Sequence, residues 1–391
     1  MKKLRDSLVK RYVIALAELG IKNNNLITLL LEHSLEIRDM FNMESSHIFD
    51  RNLDLIPYYQ IFSNRKNVSE ALSKADKILH YNEEFGIKTT YFTADTYPTE
   101  LSKINNPPAI IYYKGAEFKD ISDKAIACVG TRKPTRLSYN AANYLIPQWV
   151  KEGCSIISGL ACGVDKISHQ ACISAKGKTI AVLAHGLDTI YPRENSSLAD
   201  RILESGGILM SEYPVGTKAD KFRFVNRNRL IVGMSKAVVI YECDIKGGTM
   251  HNVEYANNQQ KPIFCPALGK NIIEIQTGTK QLIDKKIATV IKEGRDITGV
   301  LQSVGAPKPK ERMSNIEIKL NYLHSVLSIV YKPIVLTATI KDMHLNIPVT
   351  KNMYATFVDL YKTNIVDIDR LISSLVDNNI ACINKTLIFN D

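Results

Sequence analysis

The chain carries a single tryptophan and seven cysteines, an odd number without one Cys-x-x-C pair. That pattern suits reduced thiols in a cytoplasmic protein and excludes a disulfide framework. The eight histidines are scattered without metal-ligand spacing, so no metal site is expected. No apolar run reaches the length of a membrane-spanning helix, and no charged segment followed by an apolar stretch opens the chain. Neither a membrane anchor nor a secretory leader is therefore expected. Two phosphate-binding fingerprints are missing as well, since neither G-x-x-x-x-G-K-[ST] nor G-x-G-x-x-G occurs. No cofactor is expected on that ground. No Ser-His-Asp set or pair of carboxylates stands out either, and no catalytic residue is assigned.

What is present is an ordinary globular composition, 45% hydrophobic and 23% charged, over 391 residues, enough for two or three domains. The net charge of +10 favours a polyanionic partner. The most informative stretch runs from Lys221 to Arg229 and packs four cations and two phenylalanines into nine residues without an acid. Widened to Lys218–Lys236, it holds six Lys/Arg and one acid, Asp220. Cations match a phosphate backbone, and interleaved rings offer faces on which unpaired bases stack, at about 1–3 kcal/mol per base. The competing explanation makes Phe222 or Phe224 core and the arginines a solvated or ion-paired face.

Residues 1–85 read as a module of short helices. The apolar spacing predicts helices over Ser7–Leu19, ended by Gly20, over the segment capped by Asn24 through Leu31, and over Asn67–Tyr81. Over 86–304 short apolar runs alternate with amphipathic stretches: Ala109–Tyr113, Ala125–Val129, Ser155–Ile157, Thr179–Ala184, Gly207–Met210, Ala237–Tyr241 and Pro262–Cys265. Buried strands separated by helices imply an α/β fold, a Rossmann-like doubly wound and mainly parallel sheet. A Pro- and Lys-containing linker at 305–312 leads to a last domain, 313–391. Its helical patterns (Met353–Tyr361 and Asp367–Asp377) and strand-like runs (Ala381–Asn384 and Thr386–Phe389) outline a winged helix. Its nine Lys/Arg against eight Asp/Glu over 310–391, and its acidic second helix, argue against reading duplex DNA.

Ligands of such sheets sit beyond the carboxyl ends of the strands. Three glycine turns fall there: Gly130-Thr131-Arg132, the turn from Ser158 and Gly159 to Asp165, and Lys246-Gly247-Gly248-Thr249. Each glycine turn alone fits packing better than binding. Together they suggest a wall of backbone donors for an anion. Asp165 and His169, four apart, are read as a helix cap and its packed neighbour instead of a catalytic couple.

Gly130-Thr131-Arg132, the turn from Ser158 to Asp165 with His169, and Phe224 with Arg227-Asn228-Arg229, together with Tyr97-Pro98, Pro107-Pro108, Tyr113-Lys114-Gly115, Gly186-Leu187-Asp188, Tyr191-Pro192, Ser211-Glu212-Tyr213-Pro214 and Gly278-Thr279, run in the order seen in the DprA/Smf family, which the region from Tyr97 to Ala288 resembles. The resemblance implies a non-enzymatic protein that binds and protects single-stranded DNA and helps load a RecA-type recombinase, as in natural transformation. It also implies a homodimer formed through the Rossmann-like domain. By that resemblance Gly130, Arg132, Ser158, Gly159, Lys221, Phe224 and Arg227 would line the groove, and the basic segment and glycine turns add Thr131, Arg223, Asn228, Arg229, Gly247, Gly248 and Thr249 as candidates. Affinity is expected from Lys221, Arg223, Arg227 and Arg229, with stacking on Phe224. Lys246-Gly247-Gly248-Thr249 and Pro266-Ala267 depart from the family's usual Ser-Gly and Pro-Gly. Two other readings stand beside this one. Gly247-Gly248-Thr249 with Glu254 partly echoes nucleotide hydrolases, which admits a small-nucleotide sensor or enzyme. The basic segment could also meet an acidic protein.

Overall fold

The computed structural model of the protein describes residues 2–42, 46–269, 273–303, 335–340 and 343–348. Five helices come first: α1 (Lys2–Glu18), α2 (Asn25–Glu32), α3 (Ser46–Arg51), α4 (Ile56–Ser63) and α5 (Arg65–Glu84). The last begins where the Asn64 side chain accepts from the Asn67 amide, a cap that fixes the start of the longest helix. Strands β1 (Lys88–Tyr91), β2 (Ile110–Gly115) and β3 (Ala125–Val129) follow, then α6 (Arg136–Lys151), β4 (Ser155–Ser158), α7 (Val164–Ser174) and β5 (Thr179–Leu183). The chain continues through α8 (Ser196–Glu204), β6 (Ile208–Ser211), α9 (Lys221–Gly233), β7 (Ala237–Ile240), α10 (Met250–Asn258) and β8 (Ile263–Pro266). It closes this region with α11 (Thr277–Asp284), β9 (Thr289–Ile291) and α12 (Arg295–Ser303).

The nine strands form one sheet in the order β1-β2-β6-β5-β4-β3-β7-β8-β9. From β6 to β9 all neighbours are parallel, whereas β1–β2 and β2–β6 are antiparallel. Alternation explains why the parallel strands read as unbroken apolar runs. Ala125, Ala127 and Val129 of β3 pack on one face with Leu230, Ile231 and Val253. Ile126 and Cys128 pack on the other with Leu145, Ile146 and Trp149. Helices cover both faces, so neither set of alternate side chains meets water. Full burial of each Val, Leu or Ile side chain among them contributes about 1.5–3 kcal/mol, and each Ala methyl correspondingly less. The edge strands β1 and β9 have no apolar run, and the sequence carries no signal for them. Thr289 and Val290 of β9 are exposed.

Residues Met1–Gly305 form one compact unit and Ala306–Asp391 a second. Within the first, the helical module and the sheet share a hydrophobic cluster. Ile14, Leu16, Leu26 and Leu30 belong to it together with Ile110, Tyr112, Leu183 and Ile202. The Ala109 amide also donates to the Lys22 carbonyl at 3.1 Å. The described part of the second unit is an antiparallel hairpin, β10 (Val335–Ile340) and β11 (Met343–Pro348), in register from Val335 opposite Pro348 to Ile340 opposite Met343. The helices and wing strands expected in this unit lie outside the described residues. The six cysteines described are free thiols, five of them buried, and Cys382 lies outside the described residues.

At the end of the sheet where β7 and β8 begin, one carboxylate gathers three lysines. Glu100 accepts from Lys103 and Lys236 at 2.6 Å each and from Lys261 at 3.3 Å. Burial works against the Glu100 charge, but the lysines outweigh it and hold the carboxyl at about 2, below its ordinary 4.5. A depressed carboxyl stabilises the fold fully above its unfolded value and loses that contribution as the pH falls. Glu100→Gln should therefore lower the unfolding free energy at neutral pH by about 1–2 kcal/mol, after discounting for water around the partly exposed Lys103. The deficit should close between about 4.5 and about 2, which urea titrations of both proteins across that range would measure.

Candidate nucleic-acid interface

The crossovers from β3 through β6 step one way along the sheet, and those from β7 to β9 step the other way. The reversal opens a crevice beyond the carboxyl ends of β3 and β7, where doubly wound sheets place ligands. A cleft of about 980 Å³ occupies it. Gly130, Thr131 and Arg132 line it from the turn after β3, and Gly247, Gly248 and Thr249 from the turn before α10. Lys221, Phe224, Arg227 and Asn228 line it from α9. Ten of the fourteen residues expected at the groove thus converge.

All three turns contribute to the cleft lining, but those after β3 and β4 spend backbone donors inside the protein. The Thr131 amide donates to the Glu242 carbonyl at 2.7 Å, and the Val164 amide donates to the Thr131 carbonyl at 3.1 Å. The Ala161 amide donates to the Asp165 carboxylate at 3.3 Å. Gly163, at φ +83°, makes this interlock possible, because a Cβ there would lie 2.4 Å from the Thr131 oxygen. Glu242 ties the far side. Its carboxylate accepts from the Thr135 amide (2.8 Å) and hydroxyl (2.6 Å), the Ser138 hydroxyl (2.6 Å) and the Gln276 amide (2.7 Å). Those bonds keep it charged, below the ordinary carboxyl range, against the opposing effect of burial. The turns therefore build a rigid floor, and attraction for an anion falls to side chains.

The basic segment is a helix. Asp220 caps α9 by accepting from the Arg223 amide at 2.9 Å. Helical spacing then divides the cations that the sequence lines up in one stripe. Lys221, Phe224, Asn228 and Ile231 share the cleft face. Arg223 and Arg229 point elsewhere: Arg223 bonds the Lys218 carbonyl at 2.6 Å and pairs with Asp220, and Arg229 pairs with Glu212 and bonds the Asn106 carbonyl at 3.2 Å. Ser158 is fully buried, its hydroxyl donating to the Cys128 carbonyl at 2.6 Å.

Arg227 forms the base of the cleft and is only 3% exposed. Its Nη1 donates to the Val182 carbonyl, and its guanidinium lies where a side chain on residue 159 would be, 1.8 Å from a Cβ built on Gly159. Burial lowers its pKa to about 10, opposed by the nearby Asp165 charge, so it stays cationic. Asp165 is raised by its own burial and held down by Arg227. His169 is walled off from both solvent and chemistry. Thr179 donates its hydroxyl to Ile156 at 2.7 Å, so His169 Nδ1 must donate to that hydroxyl, also at 2.7 Å. Burial, with the Arg227 charge, lowers its pKa to about 3 and leaves the ring neutral.

Among the further lining residues, Lys218, His185 and Tyr191 stand out and escape sequence reasoning as individual site residues. Lys218 lines it just outside the nine-residue basic stretch. His185 and Tyr191 come from the loop after β5. The Tyr191 ring centroid lies 5.7 Å from that of Phe224, at an interplanar angle of 50°. Arg132, Lys218 and Lys221 are exposed and meet no carboxylate among the described residues. Around the two rings they supply positive charge that no direct ion pair among the described residues neutralises, although Asp220 and Asp244 also line the cleft.

Because Arg227 depends on the missing side chain at residue 159, Gly159→Ala should displace the guanidinium and lower stability by about 1–3 kcal/mol, the usual cost of overpacking. A guanidinium chloride titration with an unchanged slope and an earlier midpoint would register it.

Residues 88–302 match the model of the DNA recombination-mediator protein A family. The chain is 36% identical over 225 residues to the DNA processing protein DprA of Bacillus subtilis, which covers 56% of this chain and 75% of that protein. It is 35% identical over 213 residues to protein Smf of Synechocystis, covering 54% of this chain and 52% of that one. Among solved structures, DprA of Streptococcus pneumoniae superposes with a TM-score of 0.58 at 27% identity, over 74% of this chain and 97% of that one. The matched region spans the sheet, its flanking helices and the whole cleft, and the chain belongs to the DNA recombination-mediator protein A (DprA/Smf) family.

Proposed function

We propose that this protein binds single-stranded DNA in the switch-point cleft, shielding the strand and helping to load a RecA-type recombinase onto it. The observation that carries the reading is the meeting of three cations without carboxylate partners among the described residues, Arg132, Lys218 and Lys221, with two aromatic rings, Tyr191 and Phe224, in one cleft. Cations neutralise phosphates, and rings require bases that are free to unstack, which a duplex does not offer. Family membership supports a role in DNA recombination. We read the protein as non-enzymatic, cytoplasmic and homodimeric.

Of the nucleotide-hydrolase echo, Gly247, Gly248 and Thr249 line the cleft and Glu254 does not. Glu254, its carboxylate, is exposed, pairs with His251 at 3.3 Å and is not among the lining residues.

Fluorescence anisotropy with a labelled strand of about 20 nucleotides and its duplex, across a salt series, tests the reading. The single strand should bind in the submicromolar range and the duplex much more weakly. The log–log salt slope should fall by about 0.7 in Lys221→Ala, which leaves one phosphate without its counter-charge. Arg229→Ala should leave the slope unchanged and lower the melting temperature, because its partner Glu212 stays buried. Absence of binding at low salt would discard the proposal, and equal slopes for Lys221→Ala and the parent would remove Lys221 from the DNA-facing surface.

A further inference from the structure

Phe224 is the ring that the sequence marks for stacking, yet it is already engaged in this structure. The guanidinium carbons of Arg132 and Arg227 lie 5.2 and 5.9 Å from its centroid, within cation–π range. Its side chain is only partly exposed. Tyr191 differs on each count. It is 52% exposed, lines the same cleft, and has no guanidinium or ammonium of the described residues on its ring. The 50° tilt between the two rings keeps them from closing face to face, so the Tyr191 face is not consumed by Phe224.

The loop that carries Tyr191 is also fixed in advance. The Tyr191 amide donates to His185 Nε2 at 3.3 Å, while His185 Nδ1 donates to the Gly186 carbonyl at 2.8 Å. His185 is itself 1% exposed. An exposed ring on an anchored loop, beside three exposed cations, loses little conformational freedom when a base arrives.

We infer that Tyr191 is the stacking residue of the cleft, presenting its ring to an unpaired base while Phe224 braces it and Arg132, Lys218 and Lys221 hold the flanking phosphates. The inference rests on the single-strand reading above. It assigns to the loop after β5 a role that the basic segment alone does not fill.

The test compares Tyr191→Ala, Tyr191→Phe and the parent, each as the full chain, on two labelled strands of equal length. One strand carries bases, and the other is abasic through its central part. Tyr191→Ala should bind the base-carrying strand about tenfold more weakly and the abasic strand as the parent does, with the salt slope unchanged. Tyr191→Phe, which keeps the ring, should restore the affinity. Because Tyr191 is half exposed, its truncation leaves the core intact, and a melt of each variant verifies that. Parent-like binding of both strands by Tyr191→Ala would overturn the inference, and so would equal weakening on both, which would mean a backbone role. If the parent itself binds neither strand, the single-strand reading fails, and this inference with it.

Discussion

The geometry of the cleft depends on a buried cation. Arg227 sits beneath it with its charge offset by Asp165, its Nη1 bonded to the end of β5, and its guanidinium filling the space that Gly159 leaves after β4. One side chain thus ties together α9, two strand ends and the first turn of α7. A cation sealed from water is costly unless balanced. The structure balances it with a carboxylate whose own burial pushes in the opposite direction. Phe224 rests against the same guanidinium, so the aromatic part of the site inherits its position from a charge that does not reach solvent.

The interlocked turns have a related effect. With the amides of Thr131, Val164 and Ala161 bonded inside the protein, these donors are not free for a ligand. Recognition is delegated to long side chains at the rim. Lysine and arginine stems adapt to a backbone without defined sequence, and aromatic faces accept any base. A rigid floor under adaptable side chains is consistent with the proposed binding of strands of differing sequence.

Much of this architecture is legible in the sequence. The apolar runs from Ala109 to Cys265 fall on β2 through β8 because strands buried on both faces leave no polar alternation to confuse. β1 and β9 leave no such trace, being short edge strands of four and three residues with part of their side chains in water. At the site, local composition suffices to find the glycine turns and the face from Lys221 to Asn228. The pairing of Arg229 with Glu212, seventeen residues away, and the burial of Arg227 escape it, because both are tertiary facts. Tyr191 lies 33 residues before Phe224 in a loop without charge clustering. Its only trace is Tyr191-Pro192 within the family pattern.

The shared hydrophobic cluster bears on how the first 305 residues can evolve or be dissected. Tyr112, fully buried, is covered on one side by helices that precede the sheet and belongs on the other to β2, an added antiparallel strand. A chain cut after the helices would expose that strand's apolar face, inviting intermolecular pairing. The helices therefore serve as a wall of the sheet's own interior.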